Sequence, residues 1–394
     1  MSRVTGESLP ALTTPESGHS QALLARIRAE IESHDGWIGF ARFMEMALYE
    51  PGLGYYSAGA AKFGSAGDFV TAPEISPLFS RCLAAQCAEV LAALGGGDIL
   101  ELGAGSGVMA VDMLEELEAL GQLPRRYLIL ELSADLRQRQ LALLADRVAR
   151  HLDRIVWLET LPQALTGLIV ANEVLDAIPV ERFRVRGDQV NALGVTWHGE
   201  GPDWSEVRAQ RELLRRVRAL ERYVGARLPD GYTSEMNLRH GPWIGSVADA
   251  LQRGVMLFID YGLPRRQYYR PERHDGTLLC HFRHRFHNDP FVHVGLQDIG
   301  AWVDFTAIAE AGTDAGLGLA GYTTQAHFLM GSGIERYLAA ITQAQVAERV
   351  SIARQAMLLT LPAEMGERFK VIALTRDYER PLSGFAVRDL AASL

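Results

Sequence analysis

Apolar residues at Leu23, Leu24, Ile27 and Ile31 recur with helical spacing and predict a helix over residues 21–33, with a second over 39–49. Residues 50–76 are broken by glycine and proline and read as loop. A third helix is predicted over 77–94, with Pro77 in its first turn and Gly95, Gly96 and Gly97 beyond its end. From residue 98 the period changes. Short apolar strands at 98–102, 127–132, 155–159 and 168–171 are interleaved with helical stretches at 108–120 and 134–144. That alternation predicts a parallel sheet covered on both faces. The rhythm breaks over 184–253, where candidate strands near 190–197 and a charged helix over 206–223 read as an insertion. It resumes with an apolar strand at 254–260. An irregular arm to about residue 305, helices to about 357 and a last strand at 369–375 follow.

The expected architecture is therefore α/β, with a mostly parallel sheet, a helical N-terminal region and an inserted subdomain. Residues 1–20 read as a disordered leader and 21–95 as an N-terminal helical and lid region. The cofactor-binding domain takes 96–183, 254–262 and 306–394, and the insertions 184–253 and 263–305 form the substrate-side subdomain.

Composition narrows the partners. The 394 residues are 48% hydrophobic, enough for a sizeable core, and the formal charge of -9 argues against a nucleic-acid backbone as partner. Cys82, Cys87 and Cys280 are too few and too scattered for a disulfide framework, which fits a reducing compartment. No run of eighteen apolar residues predicts a membrane span. The first twenty residues hold no secretory apolar core, and the lone Arg3 is too little for a mitochondrial presequence. A bacterial cytoplasmic location is the expectation.

The chemistry begins at Glu101-Leu102-Gly103-Ala104-Gly105-Ser106-Gly107, where a buried strand runs into a tight turn and opens a helix near Val108. Glycines let backbone approach a ligand closely, and the helix N-terminus supplies free N–H groups. A dinucleotide site wants glycine at the sixth place from Gly103, to seat a pyrophosphate, and Val108 stands there. The register points instead to S-adenosylmethionine (SAM), which has no phosphate. Gly103, Ala104, Gly105 and Gly107 are the expected cofactor cradle, with Glu101 orienting the amino-acid end. Glu131, at the end of the next strand, sits where a ribose-binding carboxylate belongs, with Leu132 beside it.

The fourth strand runs into Asn172-Glu173-Val174-Leu175-Asp176, and open α/β sheets bind ligands at the carboxyl ends of their strands. Asn172 is expected at the cofactor. If the acceptor is an arginine guanidinium, a carboxylate must orient it and favour its proton loss, and Glu173 is the first candidate, Asp176 the second. Read without function, Asn172 and Asp176 would be helix caps. Five of the eleven histidines fall between His274 and His293. Arg283 and Arg285 among them would oppose a cation, so no metal is expected and a loop or substrate-contact role is preferred.

Together these motifs resemble the MidA-like SAM-dependent methyltransferases, relatives of a mitochondrial complex I assembly factor that dimethylates an arginine of a core complex I subunit. The resemblance runs over about residues 40–374. It is carried by Pro51-Gly52-Leu53-Gly54-Tyr55-Tyr56, Gly67-Asp68-Phe69-Val70-Thr71-Ala72-Pro73-Glu74-Ile75-Ser76, the glycine loop, the strand-four loop through Val180, Asp260-Tyr261-Gly262, Val303-Asp304-Phe305 and Met365-Gly366-Glu367-Arg368-Phe369. It implies a class I methyltransferase fold, with a Rossmann-like, mostly parallel seven-stranded sheet and an inserted substrate-side subdomain, SAM as cofactor, and a segment from Asp68 to Ser76, with Asp68, Thr71 and Glu74, that folds over the cofactor site. Val174 departs from the family, which often has phenylalanine there.

The preferred reading is a protein arginine methyltransferase with a protein substrate, in an assembly that allows a homodimer. A small-molecule methyltransferase, a SAM-binding assembly factor for a respiratory complex without turnover and a nicotinamide oxidoreductase stay open as alternatives.

Overall fold

The computed structural model describes residues 9–58, 70–340 and 346–394. The chain divides into two compact units, each assembled from three stretches of sequence. Met1–Phe69, Asp176–His240 and Arg265–Trp302 form one; Val70–Leu175, Gly241–Pro264 and Val303–Leu394 form the other.

The second unit is built on an eight-stranded sheet. Its seven main strands are β1 (Asp98–Leu102), β2 (Tyr127–Leu130), β3 (Ile155–Leu158), β4 (Leu165–Asn172), β5 (Leu251–Leu263), β6 (Gly318–Thr324) and β7 (Phe369–Arg376). They lie in the order β3-β2-β1-β4-β5-β7-β6, and the two-residue strand Val303–Asp304 adds to β5. All pairs from β3 to β5 are parallel, while β7 runs antiparallel to both β5 and β6. The chain moves outward from β1 through β3 and then returns to start again at β4. The strand order therefore reverses between β1 and β4, the place where an open α/β sheet leaves a crevice beyond its strand ends. This is the mostly parallel sheet that the alternation predicts, and the Rossmann-like, class I methyltransferase fold.

The strands are apolar through their length because both faces are covered. Ile99, Leu100 and Leu102 of β1 and Val255 to Ile259 of β5 are all buried. Helices Pro77–Leu94 and Val108–Ala119 contribute Leu83, Val90, Met113 and Leu117 to the same core as Ile99, Ile129 and Val170. Pro77–Leu94 is the one described helix long and apolar enough to cross a bilayer, but 61% of it is buried in the protein's own core.

The first unit holds a five-stranded sheet, in which Gln189–His198 pairs with Ile38–Gly39, Glu181–Arg186 and Gly201–Arg208, and Glu181–Arg186 pairs in turn with Thr233–Met236. A three-stranded sheet joins Arg285–His287, Leu279–Phe282 and Asp298–Gly300. Helices Thr14–Ser33 and Phe40–Tyr49 bury Leu23, Ile27, Ile31, Phe40 and Phe43 against Val195 and Ile299.

Four expectations need correction. The disordered leader over residues 1–20 gives way to helix from Thr14. Thr13 caps it: its hydroxyl accepts from Glu16 N and its own N–H donates to the Glu16 carboxylate at 2.7 Å, a reciprocal capping box. The charged helix expected over 206–223 runs from Arg211 to Val224, because Gly201–Arg208 turns back at Gly199 and pairs along Gln189–His198. The region 21–95, expected as one N-terminal helical and lid region, is divided: Thr14–Ser33 and Phe40–Tyr49 belong to the first unit, Pro77–Leu94 to the second. Within the stretch expected as loop, Ala72–Ile75 is a single helical turn.

Candidate active site

In the second unit β1 ends on the glycine loop. Gly103, Gly105 and Gly107 have φ of 69°, 53° and 86°, the left-handed region where a side chain is strained. Space is tight as well at Gly103 and Gly107. A Cβ on Gly103 would lie 3.1 Å from Val174 Cγ2, and one on Gly107 would lie 3.2 Å from Gln140 Cγ. Gly107 is also the N-cap of Val108–Ala119, with no side-chain cap, and Ala104 is buried in the turn. The loop thus presents backbone N–H groups at a helix N-terminus over the switch point of the sheet.

Glu131 follows β2 and is 7% exposed; its two oxygens accept from Ser133 N at 2.9 Å and from Gln140 Nε2 at 3.2 Å. Leu132, its neighbour, is 80% exposed, an apolar side chain left open beside a carboxylate and suited to the face of a flat base. Glu101 occupies a different setting. It is 1% exposed, on the same face of β1 as Ile99, and accepts a 2.6 Å hydrogen bond from Tyr127 Oη. Burial, opposed by that hydrogen bond, pushes its carboxyl up to about 7.

At the end of β4, Asn172 donates from Nδ2 to Glu173 Oε1 at 3.1 Å, while its buried Oδ1 has no hydrogen-bond partner among the described residues. A buried acceptor left this way fits a donor brought by a ligand. Glu173 has φ of 54°, uncommon for a residue with a side chain. Two clamps hold it there. Its own N–H donates to Ile259 O at 2.9 Å, and Leu175 N donates to Asp260 Oδ2 at 2.9 Å. Asp260 is fully buried and takes Tyr261 N on Oδ1 at 2.8 Å. Asp260 and Gln140 were not among the sequence candidates. The motif Asp260-Tyr261-Gly262 was a visible signal for the first, and for Gln140 there was none.

Thr71 precedes the turn Ala72–Ile75, and Glu74 in that turn accepts a short hydrogen bond from Ser106 Oγ of the glycine loop, so this part of the expected lid reaches the cofactor loop. Asp68 lies outside the described residues.

Asp176 belongs to the first unit, apart from Glu173 in the division of the chain. It is 5% exposed, and its carbonyl accepts from Ala301 N at 3.1 Å. The rings of Tyr49 and Tyr56 stack at 5.5 Å; Tyr56 Oη donates to Asp298 Oδ1 at 2.9 Å and Tyr49 Oη to Ala177 O at 3.0 Å. Burial, then the charges of Asp298 and Asp176, push both phenols above their ordinary range. The histidine-rich arm is the hairpin of the small sheet, turning at Arg283 and His284, and Arg283 pairs with Glu16 at 2.6 Å. Burial lowers His281 to about 4. Among the described residues no three His, Cys, Asp or Glu side chains are placed to hold a metal ion.

A family model of S-adenosyl-L-methionine-dependent methyltransferases matches residues 82–323. The chain is 29% identical to a mitochondrial protein arginine methyltransferase, the NDUFAF7 homologue of Drosophila melanogaster, over 93% of this chain and 88% of the relative. Against the NDUFAF7 protein arginine methyltransferase of Danio rerio the identity is 27%, over 91% and 88%. A Burkholderia thailandensis protein crystallised with S-adenosyl-homocysteine bound is 42% identical, with TM-score 0.94, over 98% of this chain and 100% of that one. A native structure from the same organism gives 41% and 0.91 over the same shares. The glycine cradle, the Glu131 carboxylate and the Asn172 acceptor form a donor and acceptor set that fits SAM.

Proposed function

Because the chain belongs to the MidA-like S-adenosyl-L-methionine-dependent methyltransferases, we propose that its acceptor is a protein arginine, with Glu173 as the carboxylate that orients the guanidinium. In this reading Glu131 takes the ribose hydroxyls, Leu132 the adenine face and Asn172 a polar group of the cofactor. The single observation that carries it is the conformation of Glu173: a carboxylate at the carboxyl end of β4, held at φ of 54° by two backbone clamps. Strain maintained at the mouth of a cofactor crevice is a mark of a working residue.

Bound SAM supplies a methyl group on a sulfonium sulfur. A guanidinium has no useful lone pair while its charge is spread over three nitrogens. A carboxylate accepting two parallel N–H bonds draws the charge to the nitrogens it touches, leaves the third more nucleophilic and favours its proton loss as the methyl arrives. Alignment of nitrogen, methyl and sulfur supplies much of the remaining barrier reduction. Support for the arginine target comes from the names of the mitochondrial relatives.

The test is incubation of lysate from a deletion strain with labelled SAM and the pure protein, followed by identification of the labelled residue. Methylated arginine in one protein band is expected, and Glu173→Gln should abolish it while SAM binding persists. Label in small molecules alone, or a Glu173→Gln variant that keeps biological activity, would reject the reading.

A further inference from the structure

Gln140 lies in the middle of helix Ala134–Arg147, fully buried, and every polar atom of its amide is engaged. Nε2 donates to Gly105 O at 2.9 Å and to Glu131 Oε2 at 3.2 Å, and Oε1 accepts from Trp157 Nε1 at 2.9 Å. Indole N–H can only donate, so it fixes which end of the amide is oxygen and leaves both amide hydrogens for the two acceptors. Ser133 N holds the other oxygen of Glu131. The glycine loop meets the same side chain, since a Cβ on Gly107 would lie 3.2 Å from Gln140 Cγ and 3.4 Å from its Cα.

We propose that Gln140 is a positioning residue for the cofactor, fixing the Gly105 peptide and the Glu131 carboxylate in one geometry so that cradle and ribose site are set together. This rests on the reading of Glu131 as the ribose carboxylate. In a trans peptide the C=O and the following N–H point opposite ways. Turning Gly105 O onto Gln140 therefore turns Ser106 N–H away from it. The same amide group holds one oxygen of Glu131, so the direction of its lone pairs follows from Gln140 as well. A buried three-way hydrogen-bond junction is worth more than its separate bonds, because each partner orients the others.

The experiment measures calorimetric affinities for S-adenosyl-homocysteine and for its 2′-deoxyribose analogue in the full-length wild type, Gln140→Leu and Gln140→Glu. Loss of a hydrogen bond to a charged group should weaken S-adenosyl-homocysteine binding in Gln140→Leu by roughly 10- to 100-fold. The preference for the ribose hydroxyl should collapse with it, because a Glu131 that is no longer aimed gains little from that hydroxyl. In Gln140→Glu two carboxyls face each other and must share a proton, so affinity should recover as pH falls, whereas Gln140→Leu should stay weak at every pH. If Gln140→Leu does not fold, Trp157→Phe releases the amide while keeping an aromatic ring, and it should reduce the hydroxyl preference in the same direction by about 3-fold or more. A variant that binds weakly but keeps the full hydroxyl preference would show a merely structural glutamine and overturn the inference. A wild type indifferent to the hydroxyl would instead reject the assignment of Glu131.

Discussion

Replacing Asp260 should impair methyl transfer more than it impairs SAM binding. Its carboxylate is fully buried and accepts Leu175 N at 2.9 Å and Tyr261 N at 2.8 Å, which fastens the loop that carries Glu173. In Asp260→Asn one of the two oxygens becomes an NH2 group facing a backbone donor. Hydrogen bonds to a charged group contribute about 1.5–3 kcal/mol, and the variant loses about that much stability. The left-handed conformation of Glu173, at φ of 54°, costs about 1–2 kcal/mol and persists because its clamps exceed that cost. With the Asp260 clamp gone, only the Glu173 N–Ile259 O bond opposes the strain, so the occupancy of the strained geometry falls by up to roughly 5- to 30-fold, the upper bound set by the strain itself. The turnover rate should fall by the same factor, with SAM affinity changed less than about 3-fold, since Leu175 N and Tyr261 N, which Asp260 holds, lie outside the glycine loop. The assay is transfer of labelled methyl to the acceptor protein, beside calorimetry with SAM and urea unfolding. Glu173→Gly measures the strain independently and should raise stability by about 1 kcal/mol. A stability loss with unchanged turnover would refute the argument and reduce Asp260 to an anchor of the fold.

Two further outcomes follow from single contacts. Glu101 titrates near 7 in the folded protein against 4.5 when free, so between those values the folded state holds the extra proton. Stability must then fall as pH rises from about 4.5 to about 7, by roughly 3 kcal/mol, and stay low above it. Glu101→Gln, whose amide oxygen can still accept from Tyr127, should remove that slope and be the more stable protein at pH 8; parallel urea-unfolding profiles for variant and wild type would count against it. Thr13→Ala removes the capping box of Thr14–Ser33 and should lower stability by about 1 kcal/mol, read as a lower melting temperature; an unchanged melt would show that the helix is held by its buried face alone.

Much of the site was legible because its chemistry is local. The run Gly103, Gly105, Gly107 requires positive φ within a single turn, and the apolar strand before it and the helix after it are encoded in the same few residues. Glu131 could be placed because a carboxylate ending the second strand of an α/β alternation has one topological position. Thr13, Pro15 and Glu16 carried a readable helix start that the polar leader obscured. The end of the strand Gly201–Arg208, from Glu206, was misread as the start of a charged helix because its pairing partner, not its own composition, decides its state. Asp260 and Gln140 could not be assigned, since the atoms they hold lie 85 and 35 residues away in sequence at Leu175 and Gly105.

By itself the sequence determined the alternation of strands and helices, the cofactor class from the register at Val108, and the identity of the acids at the strand ends. Periodicity and turn chemistry act over a few residues, so a single chain displays them directly. Only the tertiary structure decided what those groups experience. It left Glu173 in a strained conformation under two clamps, enclosed Glu101 until its proton was retained near neutrality, and assigned Asp176 to the unit of the paired tyrosines. Burial, strain and three-way hydrogen bonding are properties of what surrounds a side chain. Those surroundings are assembled from segments far apart in the chain, which local pattern does not record.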